Sequence, residues 1–449
     1  MPQNQDENNR EKLANTAFIS EKIKQRPINR KKLLMRTVIT ISLAVIFGIV
    51  ACFTFLFLQP VFSDKLYPEK EPETVSFPEE SASDELTPEE MFADDSEIAA
   101  VEAMSLEESQ KDQIDQAIAA YAFSSADYSK MMASLKSVAN EASRSIVQVT
   151  SITNDANWFN SSFESSGSTS GLIVADSGNY YYILVHADVV SDAESINVTF
   201  CDNKSAEAEI KLSDSVTGLC VLTVRKSSMT AETRSKIAIA VLGSSNTSSF
   251  TGLPVIAIGN PIGIQGSISY GIVTSEKTTL DLVDTAYKLI TTDINGSSYG
   301  SGAIINLRGQ VIGIIDMAHR PQDLSDNICA IGITELKPLI ENLSNGKERA
   351  YLGIHGSSVP MEVQQSQNIP AGAYVIKTEM GSPAMKAGIQ SGDIIKAIGS
   401  DEILTYEQLI NRLAQFSPDD IITVTVRRQA PTDYIDMEIE VTLSGSATE

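Results

Sequence analysis

The chain has 449 residues, of which 42% are hydrophobic and 20% are charged, so it is long enough for two or three packed domains. Its net charge of −24 argues against a nucleic-acid partner, because phosphate contacts depend on Lys and Arg. Four cysteines without a CxxC pair and three histidines give no support to a zinc site, and we expect neither a metal nor a cofactor.

An apolar, uncharged run at residues 38–58 is long enough to cross a bilayer as a helix. Basic residues precede it up to Arg36, and the chain becomes acidic beyond Pro60, so the positive-inside rule places the N-terminus in the cytoplasm. We predict a cytoplasmic tail at residues 1–36, a transmembrane helix at 37–58 and extracytoplasmic domains after it. A cleaved signal peptide is the alternative, but no small-x-small cleavage site follows the run.

Residues 59–135 are acidic, with prolines spread through them. Such a segment cannot bury enough apolar surface to offset the entropy lost on ordering. We predict an extracytoplasmic linker that holds the folded part of the chain away from the membrane. Within it, residues 98–122 have a composition compatible with a short helix.

The remaining chain is rich in short β-favouring runs that alternate with Gly, Ser, Asn and Asp turns. Many short strands at close spacing predict an antiparallel barrel or sandwich, which we assign to residues 136–345. A last unit at residues 349–445 reads as strands with two helices, near 383–387 and 406–416. A hinge is expected between the two units, at residues 341–349.

Five motifs in these two units carry a family resemblance. Val-Ile-Ala-Ile-Gly-Asn-Pro-Ile-Gly at 255–263 is followed by Gly-Ser-Ile-Ser-Tyr-Gly-Ile-Val at 266–273. Tyr-Leu-Gly-Ile at 351–354, Gly-Ser-Pro-Ala at 381–384 and Gly-Asp-Ile-Ile at 392–395 lie in the last unit. With these motifs the chain resembles the HtrA/DegP-type proteases. The resemblance implies a mainly β fold, a chymotrypsin-like double β-barrel followed by an α+β PDZ domain.

The resemblance also assigns the catalytic positions, where a serine protease needs a hydroxyl nucleophile, an imidazole base and an orienting carboxylate. The segment of the family's histidine places Asp188 at the base, with His186 two residues earlier. The segment of its aspartate places Gly218 at the orienting position. The nucleophile loop is one residue shorter than in the family. Alignment from its downstream end places Gly300 at the serine, and alignment from its upstream end places Ser301 there.

These replacements predict a degenerate, inactive protease domain. A carboxylic acid with a pKa of about 3.9 is a poor acceptor for a serine proton at neutral pH. Loss of the triad lowers kcat roughly a millionfold in subtilisin. The residual rate enhancement there comes from the oxyanion hole and substrate binding. The alternative is an active serine endopeptidase in which Ser301 works with a rearranged base, His186 or Asp188.

The same resemblance implies a peptide-binding loop, whose backbone N–H groups bind the terminal carboxylate of a peptide. It consists of Tyr351, Leu352, Gly353 and Ile354. The peptide itself adds as a strand to an exposed sheet edge. Gly353 suits a close approach to the backbone, and Leu352 and Ile354 are expected to line the side-chain pocket. A packing or oligomerisation element without peptide binding is the alternative.

Together these expectations give a functional hypothesis. The chain is expected to be a membrane-tethered pseudoprotease that binds extended peptides or protein C-termini in extracytoplasmic quality control or regulation. Residues 327–332 resemble the family's substrate-pairing edge strand, so the former cleft is a second candidate peptide site. The family implies a homo-oligomer, commonly a trimer, and association with an active relative is a further hypothesis.

Overall fold

The chain divides into two compact units, Met1–Glu71 and Pro72–Glu449, and every element described below belongs to the second. The predicted tail apart from Met35, the predicted transmembrane helix apart from Phe47, and the short helix at 98–122 lie outside the described residues. Within the described part of the chain, no helix combines the length and the apolar character needed to cross a bilayer. The computed structural model describes Met35, Phe47 and residues 74–77, 124–156, 162–246, 250–321, 327–367, 369–430 and 434–446.

The first long helix, α1, spans Ser125–Ala142. It begins with a capping box, in which the Ser124 hydroxyl accepts from the Asp127 amide and the Asp127 carboxylate accepts from the Ser124 amide. Ala139 is fully buried in the barrel core, so the helix is packed against the fold. α1 therefore crosses the predicted boundary between linker and protease domain at residues 135 and 136.

Six antiparallel strands close the first barrel, in the order β1-β2-β3-β6-β5-β4. Period-two burial marks β4, whose Ile196 and Val198 face the core while their neighbours are half-exposed. A short helix, α2 (Ala231–Lys236), follows the barrel. The strands are β1 (Ile146–Ala156), β2 (Ser162–Asp176), β3 (Tyr180–His186), β4 (Ser195–Thr199), β5 (Ser205–Asp214) and β6 (Leu219–Arg225).

The second barrel closes in the order β10-β11-β12-β9-β8-β7. Two of its strands, β10 and β11, are buried at every position. β10 packs against β2 of the first barrel, and β11 packs against the helix that follows β12. The strands are β7 (Pro254–Asn260), β8 (Ser267–Leu282), β9 (Thr285–Asn295), β10 (Ser301–Ile305), β11 (Val311–Ile315) and β12 (Asn327–Gly332).

Helix α3 (Ile333–Ser344) leads out of the second barrel. Its apolar residues recur at helical spacing, and Ile333, Leu336, Ile340 and Leu343 are buried against the barrel core. The predicted hinge at residues 341–349 thus begins inside this helix.

The C-terminal domain has a core of its own and a single main sheet in the order β14-β15-β16-β18-β19. β14 is at the edge of this sheet, and α6 lies beside it. With the two barrels, this domain confirms the predicted chymotrypsin-like double barrel followed by an α+β domain. The elements are β13 (Ala350–Tyr351), β14 (Ile354–Ser358), α4 (Met361–Gln367), β15 (Ala373–Thr378), α5 (Pro383–Ala387), β16 (Ile394–Ile398), β17 (Asp401–Glu402), α6 (Tyr406–Leu413), β18 (Ile421–Gln429), β19 (Tyr434–Thr442) and β20 (Ser444–Gly445).

A buried polar cluster joins the C-terminal domain to the first barrel. Asp214, 1% exposed, accepts hydrogen bonds from the Thr217 hydroxyl at 2.7 Å and the Ser446 hydroxyl at 2.7 Å. The Arg349 guanidinium lies 3.4 Å from the same carboxylate. Since Ser446 and Arg349 flank the C-terminal domain, Asp214 ties both of its ends to the barrel.

Candidate functional site

The segment to which the family resemblance assigns the base begins where β3 ends, at His186, and continues in a 3₁₀ turn, Ala187–Val189. Asp188 in that turn is exposed. His186 is half-buried, and its Nε2 lies 2.8 Å from the carbonyl oxygen of Ile315. A carbonyl oxygen only accepts, so Nε2 carries a proton and donates it to the backbone. The structure therefore engages this ring nitrogen with β11 and not with a serine hydroxyl.

The orienting position is occupied by Gly218, in the turn between β5 and β6. Its amide donates to the Asp214 carbonyl at 2.9 Å, and its carbonyl accepts from the Ala187 amide at 2.8 Å. The second bond keeps the base and acid segments adjacent through the backbone alone. Gly218 has a φ of +66°, and a β-carbon there would meet no atom within 4 Å. A β-carbon would thus have space at Gly218, but the left-handed φ favours glycine there.

The nucleophile loop brings Gly300 and Ser301 to the start of β10. A β-carbon on Gly300 would lie 2.8 Å from the carbonyl oxygen of Pro261 and 2.9 Å from that of Ser297, so a side chain does not fit without a backbone shift. Ser301 is the first residue of β10 and is 3% exposed. Its hydroxyl oxygen accepts from the Ser170 amide at 3.0 Å, in the first barrel. The two candidate nucleophile positions therefore offer no exposed hydroxyl to the cleft.

An acid–imidazole pair that was not predicted from the sequence follows β11, whose Ile315 carbonyl contacts His186. Asp316, 1% exposed, follows β11, and its Oδ2 lies 2.8 Å from Nδ1 of His319. The hydrogen bond to Asp316 raises the pKa of His319. Burial alone would raise the pKa of Asp316, but the His319 hydrogen bond and charge lower it overall. The Asp-x-x-His spacing was the available signal, since an aspartate commonly accepts from backbone and side-chain donors two or three residues on.

The second candidate site is the loop before β14, where three backbone amides converge. Gly353 has a φ of +88°, and a β-carbon there would lie 2.2 Å from Cβ of Ser382. Only glycine fits a position with that φ and that neighbour. Leu352 and Ile354 are fully buried in the domain core, so they underlie the loop and do not line an open pocket. Tyr351 is half-buried.

Asp284, from the turn between β8 and β9, occupies this loop. Its Oδ2 accepts from the amides of Leu352 and Gly353, each at 2.7 Å, and its Oδ1 accepts from the Ile354 amide at 2.9 Å. Its own amide donates to the Ile354 carbonyl at 2.8 Å. The sequence gives no sign of this contact, because the partners are separated by 68 to 70 residues.

A cavity of about 1080 Å³ is lined by Asp284 and by residues 356–358 of β14. One wall is formed by the edge of β14, at Gly356, Ser357 and Ser358, together with the side of α6 that carries Tyr406 and Ile410. The opposite wall comes from β8, β9 and α3. An unpaired strand edge beside a helix is the arrangement into which an extended peptide adds as a further strand.

Comparison with known proteins agrees with this architecture. A trypsin-like peptidase domain model matches residues 169–314, and a PDZ domain model matches residues 350–441. Serine protease Do-like HtrA of Bacillus subtilis (strain 168) is 31% identical over 319 residues, which cover 65% of this chain and 68% of that protein. The chain belongs to the Do-like HtrA family.

Two further HtrA relatives extend the comparison. A probable periplasmic serine endoprotease, DegP-like, of Rhizobium meliloti (strain 1021) is 27% identical over 286 residues, and the match spans about half of that protein, 54%. The solved structure of HtrA-type protease AlgW with decapeptide covers 69% of this chain and 98% of its own, with 22% identity and a TM-score of 0.50. This likeness to AlgW shows that the HtrA-family fold is shared.

Proposed function

We propose that this HtrA-family protein is a pseudoprotease, tethered by one helix to the outer face of a membrane, which binds extended peptides or protein C-termini through its PDZ domain. It would act in extracytoplasmic quality control or regulation, as a homo-oligomer or together with an active relative. The apolar run at residues 38–58 and the basic residues before it support the tether. The periplasmic DegP-like relative supports an extracytoplasmic location.

The observation that carries the loss of activity is the nucleophile loop. At Gly300 a β-carbon would press on two carbonyl oxygens, and at Ser301 the hydroxyl is buried and bonded to the backbone of β2. A serine nucleophile must instead be exposed and within about 3 Å of a base that takes its proton.

The surroundings of the base support the same proposal. Nε2 of His186 is engaged by the Ile315 carbonyl, and the exposed Asp188 is an acid of low basicity. With the orienting position held by Gly218, an imidazolium formed at His186 would lack the carboxylate that stabilises it in a working triad.

Peptide recognition is supported by features that depend on the backbone. The loop at residues 351–354 presents three amides to one carboxylate, and β14 offers a sheet edge next to α6. Neither feature needs the protease side chains, so recognition is able to persist where catalysis is lost.

A fluorophosphonate probe, with casein as the general substrate, tests the proposal on the full-length protein. We expect no covalent labelling and no casein cleavage by the wild-type chain, and the same result for Ser301→Ala. Bacillus HtrA handled in parallel supplies the positive control. Labelling that disappears in Ser301→Ala would contradict the proposal and support the alternative, an active endopeptidase that uses Ser301 with His186 or Asp188.

A further inference from the structure

The occupied loop of the PDZ domain is the feature with the most specific geometry outside the former cleft. A peptide C-terminus bound to such a loop offers a carboxylate to the loop amides and continues as a strand along the neighbouring edge. Asp284 reproduces both parts of that contact. Its carboxylate takes all three amides of residues 352–354, and its own amide donates to the Ile354 carbonyl at the start of β14.

We infer that the turn between β8 and β9 is an internal ligand of the PDZ domain, in which the Asp284 side chain takes the place of a C-terminal carboxylate. Peptide capture then requires the turn to leave the loop. This inference rests on the proposed peptide-binding function and adds its regulation.

The turn is shaped for this contact. Leu282 at the end of β8 pairs with Thr285 at the start of β9, so only Val283 and Asp284 form the connection. Asp284 has a φ of +54°, in the left-handed region that aspartate tolerates better than most residues. The tight turn directs a short side chain out of the barrel and into the loop, where Asp284 is 4% exposed.

Burial makes Asp284 and the loop depend on each other. A buried carboxylate without hydrogen bonds is costly, and so is a buried amide without an acceptor. Burial holds the pKa of the Asp284 carboxyl above its ordinary value, although the hydrogen bonds from Gly353, Ile354 and Leu352 and the charge of Arg349 oppose that rise. Backbone amides can only donate, so three of them on two oxygens favour the ionised carboxylate.

The Asp284 side chain fills only the carboxylate-binding end of the proposed peptide site. Beyond Asp284, the edge of β14 and the face of α6 still border the cavity of about 1080 Å³. There is room for an extended segment along the strand, while the carboxylate-binding end is filled. The contact therefore discriminates against free C-termini in particular.

Population arithmetic gives the size of the effect. A binding-competent state populated at about 1–10% weakens the apparent affinity by about 10- to 100-fold. Removal of the internal carboxylate should recover that factor for ligands that need the loop amides, and for no others.

The test uses the full-length protein, with Asp284→Ala as the open variant and Lys277→Ala as its control. Lys277 is exposed and lies on β8 of the same hairpin, but it is not among the residues that line the cavity. The probes are two pools of fluorescent random decapeptides, one with free C-terminal carboxylates and one with C-terminal amides, read by fluorescence anisotropy. We expect Asp284→Ala to bind the free-carboxylate pool at least about tenfold more tightly than the wild type, no gain for the amidated pool, and wild-type behaviour from Lys277→Ala.

Hydrogen exchange supplies a readout that needs no peptide. The amides of residues 352–354 should be protected in the wild type and in Lys277→Ala, and should exchange at least about tenfold faster in Asp284→Ala. Asp284→Asn keeps the shape of the side chain and serves as the second variant, with a smaller change of the same sign.

The outcomes separate the two proposals. Unchanged exchange at residues 352–354, or equal affinity of wild type and Asp284→Ala for free carboxylates, would overturn the internal-ligand inference and leave peptide recognition standing. Failure of both proteins to bind either pool would overturn the proposed function, and this inference with it.

Discussion

The protease-type cleft and the PDZ loop are both built on well-packed cores, but the functions proposed for them depend on different parts of the chain. Proteolysis needs particular side chains, and the family resemblance assigns the triad positions to Asp188, Gly218 and either Gly300 or Ser301. The proposed peptide recognition needs the backbone amides of residues 352–354, which any sequence compatible with the loop supplies. Catalytic chemistry can therefore be lost by a few substitutions that the buried strands tolerate, whereas the binding loop is kept for as long as its fold is kept.

The largest effect is expected where the two regions are joined. Arg349→Met removes the cation that faces Asp214, and Asp214 is 1% exposed. Removal of one partner of a buried ion pair typically costs about 3–5 kcal/mol, and we expect about 3 because Asp214 keeps its hydroxyl donors. Chemical denaturation measures this loss.

The matched control for Arg349→Met is Arg427→Met, at a half-exposed ion pair with Asp436. There we expect a loss of less than about 1 kcal/mol. Equal losses for the two variants would mean that the buried pair at the junction between barrel and PDZ domain stabilises the protein no more than a surface ion pair does. That result would contradict an energetic coupling of the two regions through Asp214.

The next largest effect concerns the recognition loop. Gly353→Ala brings a β-carbon within 2.2 Å of Ser382 Cβ at a φ of +88°, so the loop must move. We expect the free energy of unfolding to fall by about 2–3 kcal/mol and peptide binding to be lost. The causes are the clash and the cost of about 1–2 kcal/mol for a non-glycine residue in the left-handed conformation. Gly381→Ala separates these two causes, because Gly381 has a φ of +73° but no atom within 4 Å of a β-carbon. Wild-type peptide binding by Gly353→Ala would place recognition elsewhere.

The smallest effect concerns the acid–imidazole pair beside the cleft. The pKa of His319 is raised by its hydrogen bond to Asp316, so the stabilisation is complete below its unfolded pKa of about 6.5 and is lost as the pH rises through the folded value. His319→Ala should therefore cost about 1–2 kcal/mol at pH 6 and less at pH 9, by thermal or chemical denaturation.

A double-mutant cycle with Asp316→Asn checks the origin of that dependence. The coupling between the two substitutions should shrink from pH 6 to pH 9. A coupling that stays constant, or that grows with pH, would show that the pair is not held together by the charge on His319.

Much of the fold could be predicted from the sequence because strands and turns leave local signals. The short β-favouring runs and the Gly, Ser, Asn and Asp turns between them predicted a barrel or sandwich, and the family resemblance of the motifs at 351–354 and 392–395 predicted the C-terminal domain. Helix α1 was less evident: its residues at 137–142 were expected to open the β-rich part, although the Ser124 and Asp127 capping box marks a helix start.

The site was predictable only as far as side-chain identity decides it. The sequence alone could not choose between Gly300 and Ser301, because the nucleophile loop is one residue shorter than in the family and its two ends give different alignments. In the structure Ser301 is the first residue of β10 and pairs with Asn260 of β7. The contact of Asp284 with the loop at residues 352–354 was beyond sequence reasoning, since a turn of one domain meets a loop of another and no local pattern records the meeting.

The most direct test of the central contrast, recognition without cleavage, is mass spectrometry of one incubation. The full-length wild-type chain is mixed with the free-carboxylate decapeptide pool, and the bound and unbound fractions are both sequenced. We expect the retained peptides to be recovered intact, with no internal cleavage in either fraction. Cleavage products that are absent when Ser301→Ala replaces the wild type would contradict it and return the protein to the active proteases.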